Sequence, residues 1–402
     1  MNLSEKSRNH VRKLCVEISD RSVGSKGNRL ATQYVDREFK KLGLTTSQPE
    51  FDVMDWQKEG ADLICGNQKF EVFVGPYSRG CDVCGPLYCA STLEELEKTD
   101  ATGGILFVYG DIAKEQLMPK NFVFYNPEEH QHLVYLLEHS QASAIISATG
   151  RNGLLTGGEY PFPLIEDGDF DIPNVFMTEE EGRALLKYLG MEVRLISRSR
   201  RIPSKACNNI AKIGTGEASK IVITAHIDAK KGSPGAIDNA TGVTVLLLLA
   251  ELLQDYAGKY PIELVAFNGE DYYAASGQMN YIASRQGNFK DVLVNINIDG
   301  AGYYEGVSVF SLFGLTEDQQ QLVHKIFAEN ADIEAGIPWV QGDHSIFVQF
   351  GRPAIAVTSK WMLENLETQS VTHTAKDNIS IVNPDQLVSI ALAIEKFVKG
   401  LI

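Results

Sequence analysis

The second half of this 402-residue chain predicts an α/β domain with a mostly parallel central sheet covered by helices on both faces. Three observations carry that expectation. Strand-like and helix-like segments alternate after Cys207, the strand-like segments are apolar at successive positions, and several of them end on a His, Asp or Glu. Apolar residues at successive positions mean that both faces of a strand are buried, the mark of a parallel sheet between helical layers. In such a sheet the carboxyl ends of the strands point side chains into a common crevice, where sites form.

The elements follow in order. Val11, Leu14, Cys15 and Ile18 keep helical spacing, and a second stripe runs through Leu30, Tyr34, Phe39 and Leu42 before Gly43. A short strand is expected near residues 50–53. From about residue 56 to 201 the texture changes to short β-rich runs at 70–74, 104–109, 144–147 and 174–177, separated by Gly, Pro and Asp clusters. Helical runs at 132–139 and 179–189 accompany them. The later half reads as strand 220–225, helix 242–253, strand 262–267, helix 278–284, strand 292–298, helix 317–328, strand 354–358 and helix 384–398. The expected organisation is one domain from residues 1–56 and 202–402, interrupted by a smaller β-rich domain at 57–201.

Composition narrows the function classes. Apolar residues make up 44% and charged residues 22%, as in an ordinary globular protein. With 37 basic and 52 acidic side chains the formal charge is −15, which argues against nucleic acid as a partner, since phosphate binding needs a basic surface. The first twenty residues hold no apolar core segment followed by a small-residue cleavage site, and they do not read as a signal peptide. The apolar run 243–253 is broken by Thr244 and Glu251 and is too short to cross a bilayer. A soluble, cytoplasmic protein with no membrane partner is expected. Of the cysteines, Cys81 and Cys84 have C-x-x-C spacing, with Cys89 close behind. A structural zinc site would want a second close pair, so plain reduced thiols are expected there.

The chemistry concentrates at the predicted strand ends. The run 221–225 leads into His226 and Asp228, 262–267 into Glu270 and Asp271, and 292–298 into Asp299. Asp238 sits just before a helix, where its carboxylate would lie near backbone N–H groups, and His373 lies in a polar loop. Singly, each has an ordinary reading as a cap, a surface histidine or loop polarity. Together, at successive ends of one sheet, they form a mixed His/carboxylate set suited to zinc or another divalent first-row metal.

The motifs AHIDA at 225–229, GAIDNATG at 235–242, FNGEDYY at 267–273, NIDGAG at 297–302, GDHSIF at 342–347 and HTAKDN at 373–378 resemble, in order, those of the M28 family of metallopeptidases. The stretch 24–43 is similar to the family's opening helices, and residues 57–201 resemble, more weakly, its inserted protease-associated domain.

The resemblance implies a zinc-exopeptidase-like fold and two zinc ions bridged by Asp238. His226 and Asp299 would complete the ligands of one ion, and Asp271 and His373 those of the other. It further implies Glu270 as general base, Asp228 as the hydrogen-bond partner of the free His226 ring nitrogen, and a cis peptide after Asp238. Two features depart from the family. Asp271 stands where a Glu is usual, which opens the second site to another divalent metal. Thr372 stands where some relatives have an oxyanion-stabilising Tyr, which leaves Tyr303 or Tyr304 for that role. His344 is expected near the ligands or facing substrate.

The leading expectation is an aminopeptidase acting on peptide substrates. The alternatives on the same scaffold are carboxypeptidase, dipeptidase or glutaminyl-cyclase activity. A different class is a receptor-like binding protein without catalysis, against which the full ligand set counts. The sequence fixes neither the side-chain preference nor the oligomeric state.

Overall fold

The computed structural model describes residues 2–18, 20–151, 158–216 and 219–401. The chain forms two compact units, one of Met1–Val53, Lys205–Asn365 and Thr372–Ile402, the other of Met54–Ser204 and Leu366–Val371. Both are mixed α/β structures.

Among the described residues the sheet of the first unit has eight strands, in the order Thr45–Ser47, Asn209–Ile213, Ile262–Phe267, Lys220–His226, Val292–Ile298, Ala354–Ser359, Ser308–Phe313 and Ile333–Ala335. The four from Ile262–Phe267 to Ala354–Ser359 are mutually parallel. Asn209–Ile213 and Ser308–Phe313 flank them antiparallel. The central strands are buried along nearly their whole length, which is why apolar residues occupy positions on both faces of each. The helix Thr241–Leu252 is buried from Thr241 to Ala250 and packs against Pro384–Gly400 and Leu3–Arg12. A helix apolar on all sides is a central helix rather than a surface one. The strands at 209–213 and 308–313 are absent from the sequence expectation; both are short, and both mix polar residues into the apolar pattern.

The second unit combines a sheet with a few helices. Its strands Cys81–Ala90, Ile105–Val108, Ala144–Thr149 and Asn174–Thr178 are parallel neighbours. Leu106, Val108 and Ile145 enter one apolar cluster, and Ile105, Phe107 and Ile146 another. Successive side chains point to opposite faces, so alternate residues fill two separate cores. The helices Leu93–Lys98, Glu128–His139 and Glu179–Leu185 belong to this unit. The long strand Glu192–Cys207 is missing from the sequence expectation because its exposed positions carry arginines. Arg194 pairs with Asp82 through two bonds of 2.8 and 2.7 Å, and Arg198 with Asp62 at 2.7 Å.

Cys81 and Cys84 lie on the strand Cys81–Ala90. Three residues apart on a strand, they face opposite sides, so the C-x-x-C spacing makes no pair. Cys81 packs on an apolar cluster, Cys84 is exposed, and all six cysteines are free thiols. No helix of the described residues is long and apolar enough to cross a membrane.

Candidate metal centre

Parallel pairing carries three strand ends to one edge of the first unit's sheet. His226 closes its strand opposite Phe267, and Asn297 lies opposite Thr224 in the neighbouring ladder. Glu270 and Asp271 therefore emerge beside His226 on one side and Asp299 on the other. The irregular turn Ala236–Ala240 supplies Asp238, and the loop before Ile379–Ile381 supplies His373. His373 has φ 62°, a left-handed conformation that a non-glycine residue holds only when its surroundings impose it.

Asp238 does not serve as a helix cap, the ordinary reading of a lone aspartate at that place. Asn239 does that work: its Oδ1 accepts from the Gly242 N–H at 3.0 Å, and its Nδ2 donates to the Ile298 carbonyl at 2.8 Å. The second bond ties the turn to the residue preceding Asp299. The Asp238–Asn239 peptide is cis.

The two oxygens of Asp238 then face two different histidines. Its Oδ1 lies 3.1 Å from His226 Nε2, and its Oδ2 lies 3.1 Å from His373 Nε2. His226 Nε2 is also 3.4 Å from Asp299 Oδ1, and His373 Nε2 is 3.1 Å from Asp271 Oδ1. The residues fall into two donor sets that share Asp238: His226 with Asp299, and His373 with Asp271. Glu270 Oε2 stands 4.0 Å from His226 Nε2, and the Glu270 side chain is the most solvent-open of the group.

These donors fit divalent metal. Ligand atoms about 2.0–2.1 Å from a tetrahedral zinc lie roughly 3.3–3.4 Å from one another, close to the observed spacings. Both ring nitrogens of His226, together with Asp271 Oδ2, are buried without a hydrogen-bond partner, although such atoms are ordinarily satisfied. Among the described residues, His226, Asp238 and Asp271 form the one His/Cys/Asp/Glu group whose ligand atoms all lie within 4.8 Å of one another.

The electrostatics point the same way. Burial drives Glu270 well above the usual carboxylate range, with Asp299, Asp271 and Asp343 adding to the rise against the pull of His226. Burial likewise raises Asp299. Burial opposes protonation of His226 and His373, yet the surrounding carboxylates hold both well above the ordinary histidine value. A site that draws protons onto its histidines is short of positive charge, and divalent cations supply it.

Asp228 lies beside the His226 ring nitrogen it was expected to face, at longer range. Its Oδ1 is 3.7 Å from His226 Nδ1, beyond a good hydrogen bond. Its carboxylate instead accepts from three successive backbone N–H groups: Gly269 at 2.7 Å, Glu270 at 3.3 Å and Asp271 at 3.0 Å. The Nε2 of His344 donates to the Trp339 carbonyl at 2.9 Å, and its ring packs beside Phe313 and Trp339. Tyr303 is buried with its ring stacked on Trp361, while Tyr304 is half exposed.

Residues outside the sequence expectation also converge here. Asp343 is buried, its Oδ1 accepting from Gln278 Nε2 at 2.9 Å. Gly342 has φ 95°, and a Cβ there would lie 3.0 Å from Asp299 Oδ2, so the backbone must pass close to that carboxylate. Both belong to the motif GDHSIF, whose aspartate is the signal that sequence reading passed over in favour of His344.

Residues 208–398 match the model of peptidase family M28. This chain carries an M28 peptidase domain. The chain is 23% identical over 399 residues to aminopeptidase YwaD of Bacillus subtilis (strain 168), covering 94% of itself and 80% of that protein. It is 26% identical over 269 residues to the probable lipoprotein aminopeptidase LpqL of Mycobacterium tuberculosis (strain ATCC 25618 / H37Rv), across 66% of itself. That match spans about half, 51%, of the mycobacterial protein's length. Among solved structures, the zinc aminopeptidase BSAP from Bacillus subtilis superposes with a TM-score of 0.75 at 19% identity, covering 98% of this chain and 94% of the other. At that identity the likeness speaks to the fold.

Proposed function

We propose that this chain is a metal-dependent aminopeptidase that removes N-terminal residues from peptides, using two metal ions held by His226, Asp238, Asp271, Asp299 and His373. Zinc is the expected metal, with another divalent ion an alternative at the Asp271 site. The observation that carries the reading is the placement of the two Asp238 oxygens against two different histidines. The M28 match and the aminopeptidase names of the relatives support it.

When bound, the metal pair supplies a Lewis acid for the scissile carbonyl and acidifies the attacking water. The protein's own groups do the rest. Glu270 takes the proton of that water and returns it to the leaving amine, from a place at the most open edge of the donor set, 4.0 Å from His226 Nε2. Asp228 holds the backbone of the turn that presents Glu270 and Asp271. The carboxylates of Glu270, Asp299 and Asp343 favour a peptide's terminal ammonium over a terminal carboxylate, which supports an aminopeptidase over a carboxypeptidase.

The reading extends to two finer points. Residues 57–201 act as a protease-associated-like insertion, supported by the compact unit Met54–Ser204. The free thiols support a reducing, cytoplasmic setting.

The test is metal analysis together with hydrolysis of aminoacyl-anilides and their N-acetylated counterparts, on wild type and Glu270→Gln. About two metals per chain, cleavage only of free N-termini, and a metal-loaded variant slowed by about 10²–10⁴-fold are expected. Activity indifferent to Glu270, or a chain that takes up no metal, would overturn the reading.

A further inference from the structure

Two buried charged side chains grip the segment that carries Asp238, and neither has a role in the chemistry above. On one side stands Asp377. Its Oδ1 accepts from the Ile237 N–H at 2.8 Å, its Oδ2 from the Asp238 N–H at 3.1 Å, and its main-chain carbonyl from the Ala236 N–H at 3.2 Å. Three consecutive amides thus converge on one residue, which is itself fully buried.

On the other side stands Arg21, 1% exposed. Its Nη1 donates to the Pro234 carbonyl at 2.7 Å and the Leu14 carbonyl at 2.9 Å. Its Nη2 donates to the Gly235 carbonyl at 2.7 Å, and its Nε to the Ile227 carbonyl at 2.9 Å. Gly235 has φ 59°, and a Cβ there would come within 2.7 Å of Arg21 Nη2, so only glycine lets the guanidinium approach.

The arrangement joins three ligand-bearing segments. Ile227 directly follows His226, Pro234 and Gly235 lead into Asp238, and Asp377 belongs to the loop of His373. An arginine suits this place because its planar fork donates in several fixed directions, whereas lysine offers one compact ammonium. Burying a guanidinium is costly unless its N–H groups are satisfied, and here four carbonyls from three separate stretches of chain take four of its five N–H groups. Asp238 has little freedom of its own: to meet both histidines, the backbone that carries it must be fixed.

We propose that Arg21 and Asp377 are positioning residues for the metal centre, clamping the backbone from Pro234 to Asp238 so that the shared carboxylate meets both histidines. This rests on the two-metal reading above. Arg21 and Asp377 act through Asp238 and touch no reacting atom.

The test compares Asp377→Asn and Arg21→Lys with wild type and with Glu263→Gln. Asparagine turns an NH2 toward one of the two amides that Asp377 accepts. Glu263 is a control of similar burial, bonded to Tyr281 and Lys220 at the opposite end of its strand from Glu270. The zinc dissociation constant is measured by competition with a chelator on folded protein, alongside kcat, KM and thermal melting.

Zinc binding weakened about 10- to 100-fold in both clamp variants is expected, with kcat reduced to match. KM is expected to stay within about twofold, because no substrate contact is removed. Glu263→Gln should melt earlier while binding zinc as wild type does. Should one clamp variant fail to fold, the other carries the test. Wild-type zinc affinity in a folded clamp variant, equal weakening in Glu263→Gln, or failure of both variants to fold would overturn the clamp. Wild type that binds no zinc would instead overturn the metallopeptidase reading beneath it.

Discussion

Asp228 stands 3.7 Å from the Nδ1 of His226, while both of its oxygens accept backbone N–H groups from the Gly269–Asp271 turn. The aspartate nearest His226 in sequence therefore secures the segment that presents Glu270. Asp228→Asn is expected to lower kcat by about 10- to 100-fold while leaving the metal content near that of wild type. Elemental analysis beside steady-state kinetics separates the cases. Metal lost in proportion to activity would mean that Asp228 acts through His226 after all.

Removing metal should loosen the first unit. Asp238, Asp271, Asp299 and Glu270 crowd around two histidines and repel one another without a cation between them. A ligand that binds only the folded state stabilises it by about 2.7 kcal/mol at a free concentration one hundred times its dissociation constant. Melting of the chelated protein is expected to shift upward steadily as zinc is restored. A melting temperature unmoved by zinc would contradict the assignment.

His344 gives an acid-side signature. Burial against Trp339 and Phe313 holds its pKa down from 6.5 to about 4, and the Trp339 carbonyl fixes the proton on Nε2. Between those values the unfolded chain takes up a proton that the folded chain refuses, so stability falls as pH falls. The loss begins near pH 6.5, is complete near pH 4, and amounts to on the order of 3 kcal/mol. His344→Phe should flatten the dependence of unfolding free energy on pH in that window. An unchanged slope by denaturant titration would count against a neutral buried ring.

The cysteines make a plainer case. Cys84 is exposed and Cys81 faces the opposite side of the same strand. Alkylation of the native protein should label Cys84 before the buried Cys15 and Cys65, whose thiols burial pushes up to about 12 and about 11. Double replacement of Cys81 and Cys84 by serine should leave metal content unchanged. A drop in bound zinc on that replacement would show a site the strand geometry excludes.

Much of the first unit is legible in the sequence because its central strands are buried on both faces. Largely apolar runs such as 262–267 and 292–298 have sharp ends, and Glu270 and Asp299 follow just beyond them. The second unit is harder to read. Its long strand Glu192–Cys207 carries arginines at its exposed positions, and its parallel strands are short enough to resemble hairpins.

The sequence by itself determined which side chains are available and in what order: two histidines and a set of carboxylates, all but His373 close to the end of an apolar run or the start of a helix. Those are local properties, written in periodicity and turn residues. The tertiary structure decided who touches whom. Asn239 rather than Asp238 caps the helix, which leaves both Asp238 oxygens for the histidines. Asp228 holds a turn 41 residues away, and Arg21 reaches carbonyls 206 to 214 residues distant. Such contacts follow from strand order and from the need to satisfy buried polar groups, and neither is encoded in any short stretch of chain.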